Sequence, residues 1–145
     1  MTRWTGTIAC LNLPTVNDKR VLSFDPATEA DAWSAKQCPA NLLRVGRDDI
    51  LDATGFVTRV WTELVDVRSG STAMALRAEG TWHDQWPIPG PDDDLSVSVV
   101  TRPVEQHGGE ITRFDDYTVL TGWLLSSVII GRPSAWKLPT EIKVG

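Results

Sequence analysis

The chain has 145 residues, with 14 Lys and Arg against 19 Asp and Glu, giving a formal net charge of −5. This length supports one sizeable core but not two full domains, and 41% hydrophobic with 23% charged residues argues for a globular chain over a disordered one. An acidic total without a basic run excludes the phosphate neutralisation on which nucleic-acid binding rests.

In chain order, Trp4 to Leu11 and Arg20 to Phe24 read as strands. Asp25 can cap a helix and Pro26 suits its first position, so Ala-rich Ala27 to Gln37 is predicted as one short helix ended by Pro39. Gly55 to Val67 is rich in Val, Thr and Trp, as strands are. From Ala73 to Trp82, Met74, Leu76, Ala78, Gly80 and Trp82 share one face, while Arg77, Glu79 and Thr81 share the other. Between these two runs Arg68 to Ser71 is a turn, with Gly70 free to take a positive φ, so the pair is predicted to form a long hairpin.

Pro87 to Asp94 reads as a loop. A second hairpin is predicted to reverse at His107-Gly108-Gly109-Glu110, with Leu95, Val97 and Val99 on its first arm and Ile111 opening the return. Tyr117 to Ile130 is apolar on both faces, as a central strand would be, and Glu141 to Val144 is a last strand. The expectation is a mainly-β chain: a single domain over residues 1–145, a compact barrel or sandwich of about seven to nine strands with one short helix.

No membrane role is expected. The longest apolar stretch, Trp123 to Ile130, is eight residues, and a spanning helix needs about 20. The opening Met1-Thr2-Arg3-Trp4-Thr5-Gly6 does not lead into a signal-peptide core. Cys10 and Cys38 lack metal spacing and read as two buried thiols.

Catalytic and metal chemistry finds little support. Asp92, Asp93 and Asp94 are consecutive, and three adjacent carboxylates cannot all turn to one ion, so they read as a solvated loop. His83 and His107 are the only imidazoles, too few and too far apart in sequence for zinc. Asp84 can orient His83, but such neighbours are usually surface polar residues. Ser96 and Ser98 share one face of a strand, and Ser126 and Ser127 lie in the apolar strand, where hydroxyls normally satisfy the sheet. There is no Gly-x-Ser-x-Gly elbow, phosphate loop or dinucleotide fingerprint. No cofactor and no metal are expected.

The order of segments resembles that of the prohead maturation proteases of tailed bacteriophages, serine proteases of the herpesvirus-protease-like fold. Trp4-Thr5-Gly6, followed by Thr15-Val16-Asn17-Asp18-Lys19-Arg20-Val21-Leu22, is similar to their opening strand and Thr-x-x-Asp-x-Arg turn. Pro39-Ala40-Asn41-Leu42-Leu43 is similar to their Pro-x-x-Leu-Leu segment. The runs from Gly55 to Trp61 and from Ala75 to Trp82 look like their long hairpin, and Leu95-Ser96-Val97-Ser98-Val99 like the strand that carries the nucleophile. Trp123 to Ile130, with Arg132-Pro133-Ser134-Ala135-Trp136 and Ile142, resembles their closing strand and turn.

The chain departs from that pattern at two places. Where the resemblance implies a catalytic His, it reads Arg44-Val45-Gly46-Arg47-Asp48-Asp49, and Pro87 to Asp94 stands where a helix should precede the nucleophile strand. Ser98 (or Ser96) matches the nucleophile, with His83 available only as a displaced base.

The resemblance therefore implies a head structural protein that has lost its catalytic pair: a capsid decoration or cement protein. It would be made in the bacterial host cytoplasm and carried in the virion, binding the major capsid protein and forming a homo-oligomer or symmetric lattice contacts. An active prohead serine protease using Ser98 and His83, and an unrelated small β-barrel binding module, are the alternatives. Seven Trp against three Phe and one Tyr is an unusual ratio. Trp33, Trp61 and Trp123 fall at core-facing positions, whereas Trp82, Trp86 and Trp4 lie near strand ends and are expected to be partner-binding anchors.

Overall fold

The computed structural model describes residues 2–25, 36–45, 51–66, 70, 72–103 and 109–145. Ten strands form among the described residues: β1 (Thr2–Leu11), β2 (Arg20–Leu22), β3 (Ala40–Val45), β4 (Leu51–Asp66), β5 (Thr72–Trp82), β6 (Val97–Pro103), β7 (Glu110–Arg113), β8 (Thr118–Thr121), β9 (Trp123–Ile130) and β10 (Glu141–Val144). Seven of them make one sheet in the order β10-β1-β5-β4-β3-β9-β6, and three make a second in the order β2-β8-β7.

The large sheet curls until its two edge strands meet at one end. Ser96 bridges Glu141, and the amides of Val97 and Ile142 donate to the carbonyls of Thr140 and Leu95. The result is a partly closed barrel, as the mainly-β expectation required. Its interior is filled by alternate residues of each strand, among them Ile8, Leu42, Val57, Leu76, Ala78, Val97 and Val128, all 0–1% exposed. Among the described residues only Lys36, near the end of the predicted helix, is helical. Residues 26–35 of the predicted helix, with Trp33, lie outside them.

The β4–β5 hairpin forms as its alternation indicates, pairing from Gly55–Trp82 to Asp66–Thr72. Ala40 to Val45, unassigned from its sequence, is a strand that pairs antiparallel with β4 and parallel with β9. The second predicted hairpin is corrected. β6 pairs with β9 and β7 with β8, so the chain reverses at Phe114-Asp115-Asp116-Tyr117, where the Phe114 amide donates to the Tyr117 carbonyl. His107 and Gly108 of the predicted turn lie outside the described residues. Tyr117 to Ile130 likewise divides at Gly122, whose φ of 55° turns the chain from the small sheet into the large one.

Two polar side chains secure the join between the sheets. Asn12 follows β1 at a φ of 61°. Its side-chain amide donates to the Phe24 carbonyl (2.9 Å) and accepts from the Phe24 amide (2.8 Å), so it pairs like a strand residue. Thr15 donates to the Asp18 carboxylate and accepts from the Arg20 amide, which gives the Thr-x-x-Asp-x-Arg sequence a structural role in the turn into β2. Asn12→Ala is expected to lose both hydrogen bonds and to hold an unfavourable φ, about 3 kcal/mol in all, whereas Asn12→Gly keeps the φ and loses about 2. Urea unfolding of the two variants measures the difference, and equal losses would refute the backbone contribution.

Candidate functional site

Ser98 lies on β6 between Val97, which is fully buried, and Val99, which packs against the core, so alternation turns its side chain to the outer face. Its hydroxyl donates to the Pro133 carbonyl at 2.9 Å, in the connection between β9 and β10. His83 follows β5, held by its amide on the Thr54 carbonyl (2.7 Å) and by its ring edge-on to Phe56 at 5.2 Å. Strands β4, β3 and β9 stand between β5 and β6 in the sheet. Four steps of about 4.8 Å put the two strands about 19 Å apart along it. Around the join of the two edges, β10 and β1 stand between them, so on neither path around the sheet do Ser98 and His83 lie on neighbouring strands. His107 lies outside the described residues.

The tryptophan expectations need correction. Trp4 and Trp82 are each 1% exposed, so neither indole is available to a partner on this surface. Trp123 and Trp136 are buried too, and Trp86 is half-buried with Arg44 over its ring at 5.7 Å. Five indole N–H groups donate to backbone carbonyls: Trp4 to Phe56, Trp82 to Trp86, Trp86 to Ala53, Trp123 to Ser23 and Trp136 to Leu13. Each indole fills core volume and satisfies a carbonyl on a segment it packs against, a combination Phe cannot supply. Position near a strand end misled because this barrel is stoppered by the side chains at its strand ends.

The exposed apolar groups lie elsewhere. Ile88 on the Pro-rich loop is 57% exposed, and at the β7–β8 turn Phe114 (53%) and Tyr117 (41%) stack at 4.9 Å. Two aromatics bracketing Asp115 and Asp116 in a turn were the sequence signal for this tip.

A groove of about 510 Å³ runs over the outer face of β1 and β10, floored by Thr5 and Thr7 and walled by Arg77 and Asp93 to Ser96. Arg77 Nη1 donates to Thr7 Oγ1 at 2.8 Å, and its Nε lies 3.5 Å from a Glu63 carboxylate oxygen. Asp93 accepts from the Gly90 amide and Asp94 from the Ser96 amide, the latter bond drawing the Asp94 carboxyl below its usual range. Both carboxylates thus shape the loop. No metal-holding cluster occurs among the described residues.

Neither cysteine is in a disulfide. Burial pushes the Cys10 thiol from 9.0 up to about 11. Burial also raises Cys38, partly offset by a backbone hydrogen bond with Val60. Above pH 9 the unfolded chain ionises Cys10 while the folded chain keeps the proton. The stability from this group is therefore fully present below about pH 9 and falls as pH rises toward 11, by on the order of 2 kcal/mol. Urea unfolding at about pH 8 and about pH 10.5 should show this loss in the native chain and less of it in Cys10→Ala. Identical pH slopes in the two would contradict the burial of the thiol.

Comparison with protein-family models, curated proteins and solved structures finds no match to this chain.

Proposed function

We propose that this protein is a bacteriophage head structural protein, a decoration or cement protein that binds the major capsid protein and stabilises the shell. It would use a β-barrel similar to that of the prohead proteases without their catalytic pair. The observation that carries this reading is the placement of Ser98 and His83 on strands that are not neighbours either way round the sheet, with the Ser98 hydroxyl turned to the Pro133 carbonyl. A serine without a base in reach stays protonated and attacks poorly. Binding is then the work left to such a barrel, and five indoles tied to the backbone suit a part that must keep its shape on a lattice.

With Trp4 and Trp82 in the core, the contact groups of this reading become Ile88, Phe114 and Tyr117, beside the part of Trp86 left open. Large apolar side chains exposed on turns are the usual anchors of a protein interface. The test is the protein content of purified virions. Stoichiometric amounts, tens to hundreds of copies per particle, are expected, whereas a maturation protease is normally lost from the finished head. Cleavage of coat or scaffold protein by the native chain, abolished in Ser98→Ala, would overturn the reading in favour of an active serine protease.

A further inference from the structure

The outer face of the large sheet carries charges in a regular order across its strands. In one row Lys143 of β10 lies opposite Thr5 of β1, Thr5 opposite Glu79 of β5, and Glu79 opposite Arg59 of β4. On the far side of β10, Ser96 bridges Glu141 and the Ile142 amide donates to the Leu95 carbonyl, so the antiparallel run carries Asp94 beside Lys143. Read across the sheet, the row is Asp94, Lys143, Thr5, Glu79, Arg59: negative, positive, neutral, negative, positive. The next row repeats the relation, with Glu141 and Arg77 on either side of Thr7. Alternation sends these side chains outward, since Trp4, Ile142 and Ala78 between them are buried.

Charge is therefore antisymmetric about β1 in both rows. Among the described residues Asp94, Lys143 and Glu141 join no ion pair, while Arg59 meets Glu79 at 3.7 Å. We propose that this face is a self-complementary docking surface for a second copy of the chain, with a two-fold axis running along β1. That operation lays Thr5 on its own counterpart and sets Lys143 against Glu79 of the second copy, Asp94 against Arg59, and Glu141 against Arg77. A two-fold contact must present one patch to itself, and the charged positions of both rows meet that condition. Arg3, exposed one row further along β1, falls on the axis and faces its own counterpart, a like-charge contact within the arrangement. The Asp93–Ser96 wall of the groove rises beside β10, where the curl of the barrel would otherwise leave a gap, and it faces the β4 side of the partner copy. Such an interface is polar and sensitive to salt. It does not depend on the proposed function.

Sedimentation velocity of the full chain at about 20 mM and about 500 mM NaCl tests it. At low salt the species should have twice the 16.0 kDa chain mass, dissociating at high salt. Lys143→Glu should weaken the dimer at least tenfold, and adding Glu79→Lys should restore it, with circular dichroism checking that both variants fold. A monomer at low salt, a salt-insensitive dimer, or a double reversal that restores nothing would each overturn the proposal. Restoration by Glu141→Lys in place of Glu79→Lys would overturn the two-fold along β1, because it pairs β10 with itself.

Discussion

Gly80→Ala is expected to cost about 3 kcal/mol or more and to lower Tm by about 10 °C. A Cβ at Gly80 would lie 1.8 Å from the Phe56 carbonyl oxygen and 2.7 Å from Trp4 Nε1. Neither neighbour can give way cheaply. Phe56 O belongs to the backbone of the adjacent strand, and Trp4 is 1% exposed inside the barrel. Gly80 is also the direct cross-strand partner of Trp4, whose indole covers the missing side chain and donates to that same Phe56 carbonyl at 3.2 Å. An aromatic lying over a strand glycine is one device by which sheets bend tightly enough to close. The added methyl would therefore displace the indole, break its hydrogen bond and open the β1–β5–β4 corner together. Gly70→Ala is the contrast: no atom lies within 4 Å of its would-be Cβ, and only its φ of 76° resists the substitution. It should cost about 1 kcal/mol. Thermal melts of the two variants measure the difference, and equal losses would refute the close-approach argument.

Trp82→Ala is expected to destabilise the chain by about 4 kcal/mol, the cost of emptying a large buried site. Trp82 is 1% exposed, and its indole N–H donates to the Trp86 carbonyl at 3.1 Å, tying the end of β5 to the turn that follows. Trp86→Ala should cost less, about 2 kcal/mol, because that indole is half-buried and loses one hydrogen bond to Ala53. Were Trp82 an interface anchor, its removal would spare the isolated chain and weaken only a complex. Denaturant unfolding of the purified monomer separates the two cases, and an unchanged midpoint in Trp82→Ala would return this residue to the surface.

The strands that read clearly were those with one face in the core and one in water. In β5 the period-two pattern of Leu76, Ala78, Gly80 and Trp82 follows directly from that asymmetry and the observed burial repeats it, whereas at its start Ala73 and Ala75 are buried and Met74 only partly so. β3 carried no such pattern to read. It lies inside the sheet between β4 and β9, and after the buried Ala40 and Leu42 its last three residues, Leu43 to Val45, are all half-buried, so alternation spans only its first three residues. The Gly-Gly pair at 108–109 was a sound turn signal in isolation. β7 pairs instead with β8 across the turn at Phe114 to Tyr117, and β6 with β9, a choice among partners that the pattern of one strand does not encode.

The candidate site divides in the same way. That Ser98 has no His at the position its resemblance requires was legible in the residues Arg44 to Asp49. Its hydrogen bond to Pro133 was not, because 35 residues separate them. Sequence alone determined a β-rich chain, the long hairpin and the scarcity of imidazoles, since composition and local alternation carry those directly. Tertiary structure alone decided which tryptophans are inside and how charges order themselves across β10, β1, β5 and β4. Burial at a strand end depends on what closes the barrel there, and a row of side chains across a sheet exists only once its strands have found their register.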